Sequence, residues 1–119
     1  MVIYEMNLII QSAIYDCYIN WLYNHIKELL SLPGFCSAQL LHELTSDTHY
    51  HEHRCTVIYK IDSITSLDYF FTHYPHKVQH HSFENFPEGI SSAYRVFEVS
   101  TEVVNHSLSI KTNTFSLQS

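Results

Sequence analysis

Glycine and positive charge are what this sequence has least of. Two glycines in 119 residues leave no glycine-rich loop to cradle a phosphate and no GxSxG elbow for a serine nucleophile. Lys and Arg number 6 against 12 Asp and Glu, for a net charge of −6, which argues against nucleic acid as a partner. No apolar run nears the ~20 residues of a membrane-spanning helix, so the chain is expected to be soluble, with no membrane partner. Three cysteines, Cys17, Cys36 and Cys55, form no CxxC pair and leave one over from any bridge. They read as buried free thiols in a reducing, cytoplasmic setting. HExxH and closely placed catalytic carboxylates are also missing, and no motif implies a cofactor.

What is present suits one ordinary domain. Hydrophobic residues reach 45%, enough for a core, and histidine appears 10 times. Val2 to Ile10 alternates with period two, Val2, Tyr4, Met6, Leu8 and Ile10 on one face, which predicts a strand rather than a signal peptide. Ser12 offers an N-cap for a helix over Ala13 to Ser31, whose apolar stripe is Ile14, Tyr18, Trp21, Leu22, His25 and Leu29. Pro33-Gly34 ends it. A second strand is expected from Phe35 to about Leu44, and a third from about Arg54 to Ile61. Asp62 or Ser63 caps a second helix with Ile64, Leu67 and Phe71 on its stripe. Pro75 ends that helix or restarts it. A fourth strand spans roughly Ile90 to Val99.

This order predicts an α+β fold, ferredoxin-like β-α-β-β-α-β: a four-stranded antiparallel sheet with two helices on one face. Residues 1–99 form the domain. Residues 100–119 are a tail, either disordered or adding an edge strand from Leu108 to Phe115. The uncovered sheet face then carries Ile3, Ile9, Ile58 and Leu41 together with Glu5, Asn7, Gln39, Glu43, Arg54 and Lys60. That mixture suits a second copy of the chain; the plainer reading is a monomer with scattered surface apolar residues.

The segments IYEMNL, WLYNHIKELLSLPGF, TVIYKI and SLDYFFTHYPHK, with Phe86 to Val96, resemble a small bacterial family of unknown function. The family is similar to the dimeric α+β barrel group, which includes antibiotic-biosynthesis monooxygenase-like proteins. The resemblance covers about residues 1–98 and implies two ferredoxin-like sheets packed into a shared barrel. It implies no substrate. Related cofactor-independent monooxygenases use a cavity between helices and sheet, but none of their catalytic residues is matched here. Nothing is carried over to the tail or to His49–His53.

Three groups of histidines are candidate sites. His49, His51 and His53, spaced by two, project together in an extended strand and could ligate zinc, copper or nickel; the alternative is a solvated hairpin. His73, His76, His80 and His81 form a second group, either chelating or simply the polar side of a helix. The third reading is a ligand pocket between helix and sheet, lined by Tyr4, Trp21, His25, His42 and Tyr59. Its alternative is a hydrogen-bonded core histidine. The leading function is a homodimeric small-molecule-binding or interaction module. The alternatives are an oxygenase or isomerase of the dimeric barrel type, and a histidine-rich metal-binding protein. Ten histidines also predict a pH-sensitive fold or dimer between about pH 5 and 7.

Overall fold

A computed structural model describes residues 1–44, 51–78 and 86–105. Strand β1 (Val2–Gln11) keeps its alternation: Val2, Tyr4, Met6, Leu8 and Ile10 are buried, and Ile3, Glu5, Asn7 and Ile9 are half-buried on the other side. A single 3-10 turn (Ser12–Ile14) precedes helix α1 (Tyr15–Leu30). Ser12 is therefore not the cap of α1. Ile14 holds that position without a side-chain cap bond, and the Ser12 amide donates to the His51 carbonyl oxygen at 2.8 Å.

Strand β2 (Phe35–His42) stops short of Leu44, and strand β3 (Glu52–Ile61) starts ahead of Arg54. Helix α2 (Ile64–His73) is capped by Ser63, whose hydroxyl accepts the Ser66 amide at 3.2 Å. The missing amide of Pro75 breaks the helix after His73, and a one-turn helix α3 (Pro75–Val78) restarts from it. Strand β4 (Ile90–Glu98) closes the order. Beyond it the Val99 amide donates to the Met1 carbonyl oxygen at 3.0 Å. The proposed tail strand, Leu108 to Phe115, lies outside the described residues.

The sheet runs β2-β3-β1-β4 with every pair antiparallel, which is the ferredoxin-like arrangement read from the sequence. Tyr18, Leu22 and Leu29 of α1 and Leu67 and Phe70 of α2 share one core with Tyr4, Leu8, Val57 and Tyr59 of the sheet. Each buried Leu or Phe there contributes roughly 1.5–3 kcal/mol. One side of the sheet is covered, and the other is open.

A bulge between Phe35 and Ser37 shifts the register of β2. Phe35 thereby turns inward with Ala38, Leu40 and His42, and Cys36 falls outside the core. This corrects the expectation for the thiols: Cys17 and Cys36 are exposed, only Cys55 is buried, and all three are free. No helix among the described residues is long and apolar enough to cross a membrane.

Candidate functional site

The open sheet face is ordered in rows set by strand register. Ser37, Lys60, Ile3 and Phe97 lie side by side across the four strands, and Gln39, Ile58, Glu5 and Arg95 form the next row. Leu41, Thr56, Asn7 and Ala93 come third. The fourth row is Glu43, Arg54, Ile9 and Ser91, with the Glu43 amide donating to the Arg54 carbonyl oxygen at 3.1 Å. The smaller side chains of the third row, Thr56, Asn7 and Ala93, with Ser91 beside them, floor a hollow of about 370 Å³ that Ile9, Leu41 and Arg54 also line.

A chain of polar contacts crosses the centre of this face. Thr56 Oγ1 donates to Asn7 Oδ1 at 2.8 Å, and Asn7 Nδ2 donates to Glu5 Oε1 at 3.0 Å. Arg95 Nε donates to the same carboxylate oxygen at 2.8 Å. Hydrogen bonds from Asn7 and Arg95 hold the Glu5 carboxyl below its ordinary range, against the opposing effect of burial. The basic groups Arg54, Lys60 and Arg95 balance the acidic groups Glu5, Glu43 and Glu52 on this face, although the whole chain carries −6.

The covered side holds the residues expected to line a pocket, and it does not gather them round one. Tyr4 and Tyr59 stack with ring centroids 5.5 Å apart, Phe70 lies 6.1 Å from Tyr4, and both tyrosines are 0% exposed. At zero exposure no water-sized void adjoins these rings. Burial raises both phenol pKa values well above the usual range. Trp21 and His25 stack on each other at 4.7 Å and 13° on α1. His25 is buried, bonded to the Lys77 backbone, and pushed down to about 4, chiefly by desolvation, with Glu28 opposing the shift and the Lys77 ammonium adding to it. Lys77 Nζ meets Glu28 Oε2 at 2.9 Å, tying α3 to α1.

His42 is placed elsewhere. Its Nδ1 lies 3.4 Å from the Tyr15 hydroxyl, and ten residues of helix, ~15 Å, separate Tyr15 from His25. The His53 ring stacks on the Tyr15 ring, 4.0 Å between centroids. Tyr15 thus joins one histidine read as interior and one read as part of the hairpin run. Cys55 sits directly across from His42 in the β2–β3 register, its thiol raised to about 11 by burial. Sequence reasoning missed Tyr15, because its two partners come from strands 27 and more residues away.

His51 is exposed ahead of β3, and His49 lies outside the described residues, as do His80 and His81. Among the described residues no three His, Cys, Asp or Glu side chains are placed to hold a metal ion. His73 stacks on Tyr69 at 3.9 Å and is exposed, like His76.

A model of the family described as "Domain of unknown function (DUF4286)" matches residues 1–100. The chain belongs to the DUF4286 family. No curated protein matches it in sequence. Among solved structures, an antibiotic-biosynthesis monooxygenase-like protein of Deinococcus radiodurans is similar, with 16% identity and a TM-score of 0.64 over 88% of this chain and 97% of that one. The heme-degrader MhuD of Mycobacterium tuberculosis, solved with two hemes in its active site, is 20% identical, with a TM-score of 0.55 over 86% of this chain and 99% of that one. A dimeric ferredoxin-like protein from an uncultured marine organism is 13% identical, with a TM-score of 0.56 over 86% and 98% of the two chains. At these identities the likeness fixes the fold, which this DUF4286 chain shares with monooxygenase-like proteins and a heme-degrader.

Proposed function

We propose that this DUF4286 protein works as a homodimer, two sheets packed face to face into a small α+β barrel, and serves as a small-molecule-binding or interaction module. The observation that carries this is the open sheet face. Half-buried Ile3, Ile9 and Ile58 share it with Phe97, which is 42% exposed, around a central polar chain and a balanced set of charges. A face without net charge on an acidic chain does not repel its own copy, and its apolar rows lose water on contact. One of the proteins sharing the fold is dimeric. Exposed free Cys17 and Cys36 suit a reducing compartment, so we place the protein in the cytoplasm. Sedimentation velocity at micromolar concentration tests the reading: a dimer is expected, and a monomer overturns it.

A second reading, an enzyme of the same fold, is favoured by the Tyr15–His42 contact. A phenol within hydrogen-bond distance of an exposed imidazole, with His53 stacked alongside, is a group able to exchange a proton with an aromatic hydroxyl compound. Histidine side-chain NMR signals of His42 and His53 should shift when 1-naphthol is added. Unmoved signals at millimolar naphthol overturn this placement.

A further inference from the structure

Strand β4 is an edge that has almost none of the features that keep edges from pairing. Its outer side faces no strand among the described residues. It contains no proline, no lysine and no break in its register with β1, and its one charge on the helix side is Glu98, at the very end. The Val99 amide donates to the Met1 carbonyl oxygen and the Gln11 amide to the Gly89 carbonyl oxygen, so the odd-numbered residues between them bond to β1. The amides and carbonyls of Ser92, Tyr94 and Val96 therefore point outward. Tyr94 and Val96 also face the helix side, yet they are 52% and 38% exposed, although the Tyr94 ring lies 5.7 Å from both Tyr4 and Phe71. Backbone bonding groups and core-type side chains are open along one stretch.

We infer that this edge is covered by the chain's own segment 106–114, antiparallel to β4, with Leu108 beside Val96 and Ile110 beside Tyr94. The segment matches 90–98 in length and contains neither proline nor glycine. It alternates, Leu108, Ile110 and Thr112 against Ser109, Lys111 and Asn113. In this register the apolar set meets Tyr94 and Val96, and the polar set continues the open face past Ala93 and Arg95. Slipping by one residue would turn Leu108 and Ile110 to the other face. Slipping by two towards Glu98 would set Lys111 directly against Arg95, and like charges opposite each other repel.

Residues 99–105 make the connection, and they leave the sheet at the edge that is to be covered. So short a link turns docking into an intramolecular event, at an effective concentration on the order of mM. The opposite edge, β2, lies three strand spacings away, ~14 Å, and the bulge at Phe35/Ser37 interrupts it. The family match ends at residue 100, so the covering segment belongs to this chain rather than to the DUF4286 domain. The contact uses an edge and not a face, and it is independent of the homodimer proposed above.

Two measurements on the full chain test this. Hydrogen exchange at the Tyr94 and Val96 amides should be slow in the wild type. Leu108→Asp with Ile110→Asp, both outside the folded domain, should speed it at least ~10-fold; equal rates overturn the proposal. For cross-linking, exposed Cys17 and Cys36 are first replaced by serine. Ala93→Cys with Lys111→Cys, oxidised at low concentration, should form a disulfide within one chain, since this pair falls at a close, non-hydrogen-bonded position. Ala93→Cys with Thr112→Cys, whose side chains face opposite sides, should react at least ~10-fold more slowly. Equal rates for the two pairs overturn the register and the docked strand with it. A disulfide that joins two chains assigns the covering segment to a second copy and overturns the proposal as well.

Discussion

Arg95 reaches from β4 to Glu5 on β1 and meets one carboxylate oxygen twice, through Nε at 2.8 Å and through a terminal nitrogen at 2.7 Å. The two partners are unequally placed. The Arg95 side chain is 66% exposed, whereas Glu5 is 15% exposed. In a lone chain the pair lies open to water on one side, where such contacts are worth ~1 kcal/mol or less. Once a second sheet covers it, removing Arg95 leaves a carboxylate without its cation in a drying interface. Truncating one partner of such a pair costs ~2–5 kcal/mol. Arg95→Ala should therefore change the chain's own unfolding free energy little and weaken dimerisation at least ~30-fold. Urea titration at low concentration and sedimentation equilibrium read the two effects separately, and equal effects on both would contradict this account.

The stability of the fold should fall as the solution is acidified, and His25 dictates much of it. Its pKa is about 4 in the folded chain against 6.5 for an ordinary histidine. Below pH 6.5 the unfolded chain therefore takes up a proton that the folded chain refuses. Stability is complete above that pH, declines from about 6.5 towards 4, and declines no further through this group once both forms are protonated. The loss amounts to ~3 kcal/mol over that window. Glu5 and Glu28 act in the same direction at lower pH, since both are held below the ordinary carboxylate range, Glu28 chiefly by its hydrogen bond from Lys77. Unfolding free energies of wild type and His25→Leu at pH 7.0, 5.5 and 4.5 check this. The variant should lose the part of the slope between 6.5 and 4, whatever its absolute stability.

The strands and helices were legible because their burial is periodic and local. Val2 to Ile10 reads as a strand in any register, and Tyr18, Leu22 and Leu29 share one helical face without regard to what they pack on. The open face followed from the parity of β1, β2 and β3 taken together. What was illegible depends on a single inserted residue or on distant strands. The bulge at Phe35/Ser37 reverses the parity of Cys36 and leaves that of His42 intact, and nothing in the local sequence marks it. The five residues read as one pocket all do face the helix side or α1. They are nonetheless distributed along the length of the layer, with Tyr4 and Tyr59 sealed in its centre, His25 against Lys77 of α3 with Trp21 stacked on it, and His42 at the Tyr15 end. Parity gives the side of a sheet, and position along it requires the register.

Gly34 should be irreplaceable. Its φ is +85°, in the left-handed region, and a methyl group at its α-carbon would overlap the Cβ and Oγ of Ser66. Ser66 has no free room to move, because its hydroxyl donates to Asp62 Oδ1 at 2.6 Å and its amide is the one that Ser63 caps. Gly34→Ala thus meets backbone strain of ~1–2 kcal/mol together with a steric conflict at the start of α2. A total loss of ~2–4 kcal/mol is expected from urea unfolding. Adding Ser66→Gly removes the overlap with Ser66 but not the strain or the 2.9 Å approach to Asp62 Oδ1, so the double variant should regain part of the loss relative to its Ser66→Gly parent. Full recovery would show that the positive φ costs nothing here.

Zinc content should not depend on the described part of the histidine run. His53 is engaged with its ring against Tyr15, 4.0 Å between centres, and its neighbour Glu52 is paired with Arg54 at 3.6 Å. Drawing His53 off Tyr15 to reach a metal would give up that stacking, worth ~0.5–1.5 kcal/mol for a ring pair. A lone pair of imidazoles also supplies fewer than the three or four protein ligands that zinc sites employ. Protein purified without a histidine tag, and a His51→Ala/His53→Ala variant beside it, should carry the same background zinc by elemental analysis. Stoichiometric zinc in the wild type that disappears in the variant would establish a metal site at the head of β3, and with it a role for Tyr15 as the residue that yields to the ion.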